Sequence, residues 1–217
     1  MRVATGARRG RPATASRDDV LRAAREQYLG GQRVDLTILA RRLGLGRATI
    51  YRWFGSRERV LGEVIAAELE SLLARKRREV RQRGMPGLLE VFDRTNRALA
   101  GSSALRQFLD QERAGAMRLL TSSTGVVRPT AVACVTGLIT AEAAAGRYTP
   151  TADPETLAYA IVRLAEAFLY SDAAIGIRGD HTRLREVQAA LLGAPLVDRR
   201  SVSDARGRRL GRAPCSS

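Results

Sequence analysis

The sequence has few of the side chains on which most enzymes depend. Of its 217 residues, two are cysteines and one is a histidine. Cys134 and Cys215 do not form a CxxC pair and His181 stands alone, so neither a zinc site nor a Cys–His nucleophile pair is predicted. No GxxxxGK[ST] phosphate-binding loop is present. We therefore expect no enzymatic activity, no cofactor and no metal.

Aromatic residues and long apolar runs are also scarce. Aromatic side chains make up 5% of the chain, while Ala and Leu are frequent, a balance that favours packed helices over a β-sandwich or barrel. The longest weakly polar stretch, residues 130–145, is too short for a membrane span. The basic N-terminus lacks the apolar segment of a secretory signal. These features predict an all-α, cytoplasmic protein without a membrane partner.

Positive charge is abundant and unevenly distributed. The net charge is +15, and the first 59 residues contain fourteen Arg against five acidic residues, a net of +9. Such an excess attracts nucleic acid, anionic lipid or acidic proteins and does not by itself choose among them. Arg replaces Lys throughout the chain, since Lys76 is the only lysine, but this preference does not explain why the positive charge is concentrated in the first 59 residues.

Apolar periodicity and helix-capping residues predict about nine helices, among them single helices at 104–120, 154–175 and 180–192. Ser16, Asp35 and Ser56 are expected to cap the first, second and fourth helices. The predicted organisation has four parts: a basic flexible arm at 1–15, a small helical domain at 16–62, a larger helical domain at 63–195, and a disordered basic tail at 196–217.

Two short predicted helices are joined by the turn Gly44-Leu45-Gly46. An apolar stripe on the first (Leu36, Leu39, Ala40 and Leu43) and Ile50 and Phe54 on the second form a small core, as in a helix-turn-helix. Guanidinium, methyl and aromatic groups then point outward on the second helix, as DNA contacts require. These outward residues are Arg47, Ala48, Thr49, Tyr51, Arg52 and Trp53. A solvated face of an ordinary helical bundle is the alternative interpretation.

The stretch LARRLGLGRATIYRWFGSRERVL resembles the N-terminal domain of the TetR family of bacterial one-component regulators. Residues at the family's usual identities are Leu39, Ala40, Gly44, Leu45, Ala48, Thr49, Ile50, Tyr51, Phe54 and Ser56. Three positions depart from the family pattern. Gly46 replaces a Ser/Thr cap, Trp53 replaces His/Tyr, and Arg57 replaces Lys. The motif covers about residues 16–65. The resemblance therefore implies a helix-turn-helix DNA-binding domain at 16–62 and a ligand-binding and dimerisation domain at 63–195.

The resemblance implies roles for individual residues. Thr37, Thr49, Tyr51 and Arg57 would hold phosphates. Residues facing base edges would be Arg47, Ala48 and Arg52, with Trp53 beside them. The tetrapeptide Arg9-Gly10-Arg11-Pro12 is also similar to an AT-hook core, so Arg9 and Arg11 would enter a minor groove. A basic arm without defined contacts is an equal alternative.

The resemblance further implies a homodimer joined by its last two long helices, although burial within one protomer is an alternative for both. It also implies a small-molecule pocket, and polar groups on otherwise apolar helices, with two phenylalanines, are the candidate lining. These are Phe92, Asn96, Phe108, Gln111, Thr136, Arg163, Glu166 and Tyr170. The expected function is that of a repressor released from a palindromic double-stranded operator by a small apolar ligand. A non-specific architectural DNA-binding protein is the alternative.

Overall fold

The computed structural model describes residues 15–170 and 180–194, all of whose regular elements are α-helices. The ten helices are α1 (Arg17–Leu29), α2 (Leu36–Leu43), α3 (Arg47–Phe54), α4 (Arg57–Glu79), α5 (Gly84–Gly101), α6 (Ser103–Gln111), α7 (Arg113–Thr121), α8 (Val127–Ala144), α9 (Pro154–Tyr170) and α10 (His181–Leu191). The predicted all-α fold is confirmed. The predicted arm, the tail, and thus Arg9 and Arg11 lie outside the described residues.

Capping side chains begin the helices where the sequence predicts. Ser16 and Asp19 form a reciprocal capping box at α1. Asp35 accepts hydrogen bonds from the backbone N–H groups of Thr37 and Ile38, and the Ser56 hydroxyl accepts one from Arg59. These bonds satisfy donors that have no partner within the helix, so they fix where α1, α2 and α4 start.

One helix of the sequence prediction is two helices in the structure. The stretch predicted as a single helix at 104–120 breaks at Glu112, whose backbone has φ −138° and ψ 43°. The carboxylate of Glu112 pairs with Arg57 and Arg33, which lie far away in sequence. The break therefore accompanies a tertiary contact, which helical periodicity cannot predict. It accounts for ten helices rather than about nine.

Two apolar clusters hold the helices together. The first core joins α1–α4 to α6, α7 and the start of α8: Val20, Ala23, Ala24, Tyr28, Val34, Leu36, Leu39, Ala40, Ile50, Phe54, Val60, Leu61, Val64, Ile65, Ala104, Leu105, Phe108, Ala116, Leu120 and Val127. The second core lies among the end of α4, α5, α8 and α9: Leu73, Val80, Leu88, Leu89, Val91, Phe92, Ala131, Val135, Ile139, Tyr148, Leu157, Ala158, Ile161, Val162 and Leu192. Helix α4 contributes to both. Within the described residues, no helix is long and apolar enough to cross a bilayer.

Candidate DNA interface and ligand cavity

The turn between α2 and α3 is tight because of one glycine. Gly44 has φ 65° and ψ 26°, a left-handed conformation that favours glycine, and the Leu45 N–H donates to the carbonyl of Ala40 at 2.9 Å. Ala40, which is 3% exposed, is small where the helices of this unit meet. The turn therefore sets α3 at a fixed angle against α2.

Helix α3 has a buried side and an exposed side. Ile50 and Phe54 are buried in the first core. Opposite them, four side chains are exposed (Arg47, Ala48, Tyr51 and Arg52), and two are half-buried (Thr49 and Trp53). Trp53 packs against the first core, so its ring is less available for an outside contact than the sequence predicts. Gly46 begins the helix without a side-chain cap.

The exposed side of α3 is electropositive. The Arg47 guanidinium lies 5.7 Å from the centre of the Tyr51 ring, a cation–π distance. Among the described residues, Arg52 has no ion-pair partner, and neither does Arg41 on the exposed side of α2. Sequence reasoning did not include Arg41, although it lies off the apolar stripe of α2 and so had to face outward. Thr37, at the start of α2, is also exposed.

Arg57, the first residue of α4, binds within the molecule. Its Nε donates to the Val34 carbonyl at 2.6 Å, and Nη1 donates to Oε2 of Glu112 at 2.8 Å. Nη2 donates to the other carboxylate oxygen, and Arg33 donates to Glu112 from the α1–α2 loop at 3.2 Å. These arginines, Arg57 first, hold the pKa of Glu112 below its usual range. The TetR resemblance suggested that Arg57 holds a DNA phosphate. In the structure its guanidinium instead binds Glu112, at the junction of α6 and α7.

An apolar cavity of about 70 Å³ lies against the second core. Its lining residues come from α4, α5, α7, α8, α9 and α10: Leu69, Leu73, Phe92, Thr95, Asn96, Leu99, Leu120, Val127, Arg128, Ala131, Val135, Ile161, Val162, Ala165, Glu166, Leu169, Tyr170 and Gln188. Arg128 and Glu166 form a two-point ion pair in this wall, with distances of 2.8 and 2.9 Å. Desolvation, with Glu166 adding to it, raises the pKa of the Tyr170 phenol, so that its hydroxyl keeps its proton.

The C-terminal part of the chain decides the family. A family model described as the tetracyclin repressor-like C-terminal domain matches residues 83–193, just over half of the chain. The chain belongs to the TetR family. This agrees with the N-terminal motif, and it confirms the expectation that the chain is a regulator rather than an enzyme, since TetR-family proteins bind operator DNA and effectors and do not catalyse reactions.

A solved structure agrees with this TetR assignment. The R. erythropolis transcriptional repressor QsdR, from the TetR family, is 28% identical, with a TM-score of 0.76 over 84% of this chain and 96% of that chain. No curated protein matches this chain. The helices of this chain are therefore arranged as they are in QsdR.

The eight residues that the TetR resemblance suggested for a ligand pocket divide into two groups. Four of them line the cavity: Phe92, Asn96, Glu166 and Tyr170. The other four lie elsewhere. Phe108 belongs to the first core, where its ring meets Tyr28 edge-on at 6.4 Å. Gln111 is exposed and donates to the Gly31 carbonyl.

Thr136 and Arg163 are the remaining two of these residues. Thr136 faces a groove on the outer side of α8, and the exposed Arg163 pairs with Glu166 from outside the bundle. Sequence reasoning missed three polar lining residues, Thr95, Arg128 and Gln188. All three lie on helices that also carry many apolar residues, but nothing in their spacing distinguishes them from surface residues.

Proposed function

We propose that this protein is a homodimeric transcriptional repressor that reads an inverted-repeat operator with α3 and is released from it by a small, largely apolar effector. The exposed, electropositive side of α3 is the observation that carries the proposal. Arg47 and Arg52 have the guanidinium groups that read guanine edges, and Thr37, Thr49 and Tyr51 can hold phosphates on either side. Ala48 lies among them, small enough to let the helix approach the bases.

The outer face of α8 supports the dimer. Both charged residues of this 18-residue helix, Arg128 and Glu142, are buried. Its exposed positions, spaced at helical intervals, are all uncharged: Pro129, Ala133, Gly137, Thr140, Ala141 and Ala144. A long uncharged surface of small residues allows a second helix to approach closely, which suits a two-fold interface between copies of this chain.

Two neighbours strengthen this assignment. Tyr159 of α9, which is 49% exposed, lines the groove on the outer side of α8. The hydroxyl of Thr136, which lines the same groove, is buried and has no hydrogen-bond partner among the described residues. The TetR resemblance suggested instead the last two long helices, with burial inside one protomer as the alternative. The apolar side of α10 is used within the protomer, since Leu184 is 1% exposed and the adjoining Leu192 is 2% exposed. We therefore place the interface on α8 and α9.

The position of α4 supports release by an effector. Leu69 and Leu73 of α4 form part of the cavity wall, and the same helix begins two residues after α3. The cavity is small, about 70 Å³. A larger effector has to separate these helices. Movement of α4 then changes the separation of the two recognition helices in the dimer.

Selection of bound fragments from a random DNA library, followed by sequencing, tests the proposal. We expect an inverted repeat whose half-sites lie one helical turn apart, about 34–36 Å, with two protomers bound per site. Asymmetric single sites would contradict the dimer, and enrichment without any motif would favour a non-specific architectural protein.

The α8 face has its own test in analytical ultracentrifugation. Ala133→Glu places a charge on each side of the proposed two-fold interface, where like charges meet, and should convert the dimer to monomers at concentrations at which the wild type stays dimeric. Ala114→Glu, at an exposed alanine of α7, is the matched control and should stay dimeric. Equal sedimentation of the two variants would contradict the assignment.

A further inference from the structure

The cavity contains one buried donor without a partner. Gln188 of α10 is 1% exposed, and its Oε1 accepts a hydrogen bond from Nδ2 of Asn96 on α5 at 3.2 Å. The other atom of its amide, Nε2, is buried and has no hydrogen-bond partner among the described residues. Buried donors in folded proteins are almost always paired, so an unpaired one on a residue that lines a cavity leaves room for an acceptor from outside the described residues.

Three other polar side chains of the wall have partners within the protein. Thr95 donates to the Val91 carbonyl at 2.8 Å, and Arg128 and Glu166 neutralise each other across two hydrogen bonds. The rest of the lining is mainly aliphatic and aromatic. An ionised ligand would lose its hydration here without meeting an unpaired opposite charge, which is strongly unfavourable.

From these two observations we infer that the effector is an uncharged amphiphile, with an apolar body and a carbonyl-type oxygen that accepts a hydrogen bond from Nε2 of Gln188. The inference rests on the proposed function for the site, and it adds the chemical class of the ligand and the atom that recognises it. Asn96 has a positioning role, because its bond to Oε1 fixes the orientation of the Gln188 amide.

A matched series of eight-carbon probes tests the charge and the acceptor separately. Binding of 2-octanone, octane, octanoate and octylamine to the full chain is measured by calorimetry and by thermal shift. One neutral hydrogen bond corresponds to roughly three- to tenfold in affinity, so 2-octanone should bind tighter than octane by about that factor. It should also bind tighter than both ionised probes. Tighter binding of octanoate or octylamine, or no binding by any probe up to its solubility, would overturn the inference.

Substitution of Gln188 identifies the atom. Gln188→Met keeps the length of the side chain but removes the donor, so the preference for 2-octanone over octane should disappear while octane still binds. Gln27→Met is the matched control, because Gln27 is a buried glutamine of α1 that lies outside the cavity and accepts a bond from the Asp35 N–H at 3.1 Å. It should keep the preference. An unchanged preference in Gln188→Met would assign the recognition to another group and overturn the inference.

Operator titration separates this inference from the proposed function. If 2-octanone binds through Gln188 and operator affinity falls, both stand. If it binds with the expected selectivity and operator affinity is unchanged, the ligand class stands and release by an effector is contradicted. Loss of selectivity in the probe series contradicts the ligand class, whatever happens to operator binding.

Discussion

The first and second cores differ in what they bury. In the first core the neighbouring buried polar residue is Gln27, whose amide oxygen is satisfied by the Asp35 N–H. Around the second core the structure buries five polar or charged side chains: Thr95, Asn96, Arg128, Glu142 and Gln188. Polar groups inside a helical bundle are unfavourable unless they are paired. The first core is therefore almost entirely apolar and packs α3 in place, whereas the interior around the second core is partly polar.

The largest expected effect lies in the first core. Leu39 of α2 is fully buried in the first core. Leu39→Ala should lower the free energy of unfolding by about 3–5 kcal/mol, because a cavity remains where the side chain packed. Denaturant unfolding measures this, and operator binding should be lost with it. Leu73→Ala, in the second core, should also destabilise the protein but leave the folded chain able to bind operator. Equal loss of DNA binding in both variants would contradict the division of roles.

Glu142 provides the second test, in the second core. Its carboxylate accepts hydrogen bonds from Arg77 at 2.6 Å, from Arg147 at 2.8 Å and from the Gly84 N–H at 2.8 Å. Glu142→Gln removes the charge that two arginines share and should lower the free energy of unfolding by about 3 kcal/mol. Glu70→Gln, at an exposed position of α4, is the control and should have little effect.

The same site predicts a pH dependence. The hydrogen bond from Arg147 first, with the Gly84 N–H and the charge of Arg77, lowers the pKa of Glu142 from 4.5 to about 2. Because the pKa is lower in the folded state, the stabilisation is present above pH 4.5 and is lost as pH falls toward 2. The difference in unfolding free energy between wild type and Glu142→Gln should shrink over that range. A constant difference would show that Glu142 does not titrate in this way.

Breaking the contact between Glu112 and Arg57 should have a smaller effect on stability, and it can also be followed in the salt dependence of DNA binding. Glu112→Gln should cost about 1.5–3 kcal/mol of stability, because it weakens charge-assisted bonds at the α6–α7 junction. If the freed Arg57 then contacts a phosphate, the slope of log affinity against log salt should steepen by about 0.9. Asp110→Asn, an equal charge change at an exposed position of α6, is the control. An unchanged slope would mean that Arg57 serves the fold rather than the DNA.

The sequence predicted the part of the molecule whose contacts are local. The caps, the Gly44 turn and the outward set on α3 follow from residues three to seven positions apart, so periodicity identifies them. The helix break at Glu112 accompanies a contact with Arg57, which is 55 residues away, and Gln188 pairs with Asn96, which is 92 residues away. Spacing carries no information about such contacts, which is why half of the suggested pocket residues lie elsewhere.

The smallest expected effect is on the surface. Arg25 of α1 and Glu68 of α4 form an ion pair whose side chains are 53% and 29% exposed. Solvent screens such a pair, so Arg25→Ala should change the free energy of unfolding by less than about 1 kcal/mol. Denaturant unfolding at low and high salt measures it. A loss as large as that of Leu39→Ala would contradict the view that burial, rather than surface charge, holds α1 in place.

Parallel library selections with wild type and Arg52→Ala test most directly whether α3 reads base sequence. The wild type should enrich an inverted repeat. If Arg52 makes a bidentate contact to a base, the variant should enrich the same repeat with one position per half-site relaxed and with specific affinity lowered by about 1–3 kcal/mol. An identical motif at equal affinity from both proteins would show that Arg52 does not read the operator. Enrichment of no motif by the wild type would contradict the account as a whole.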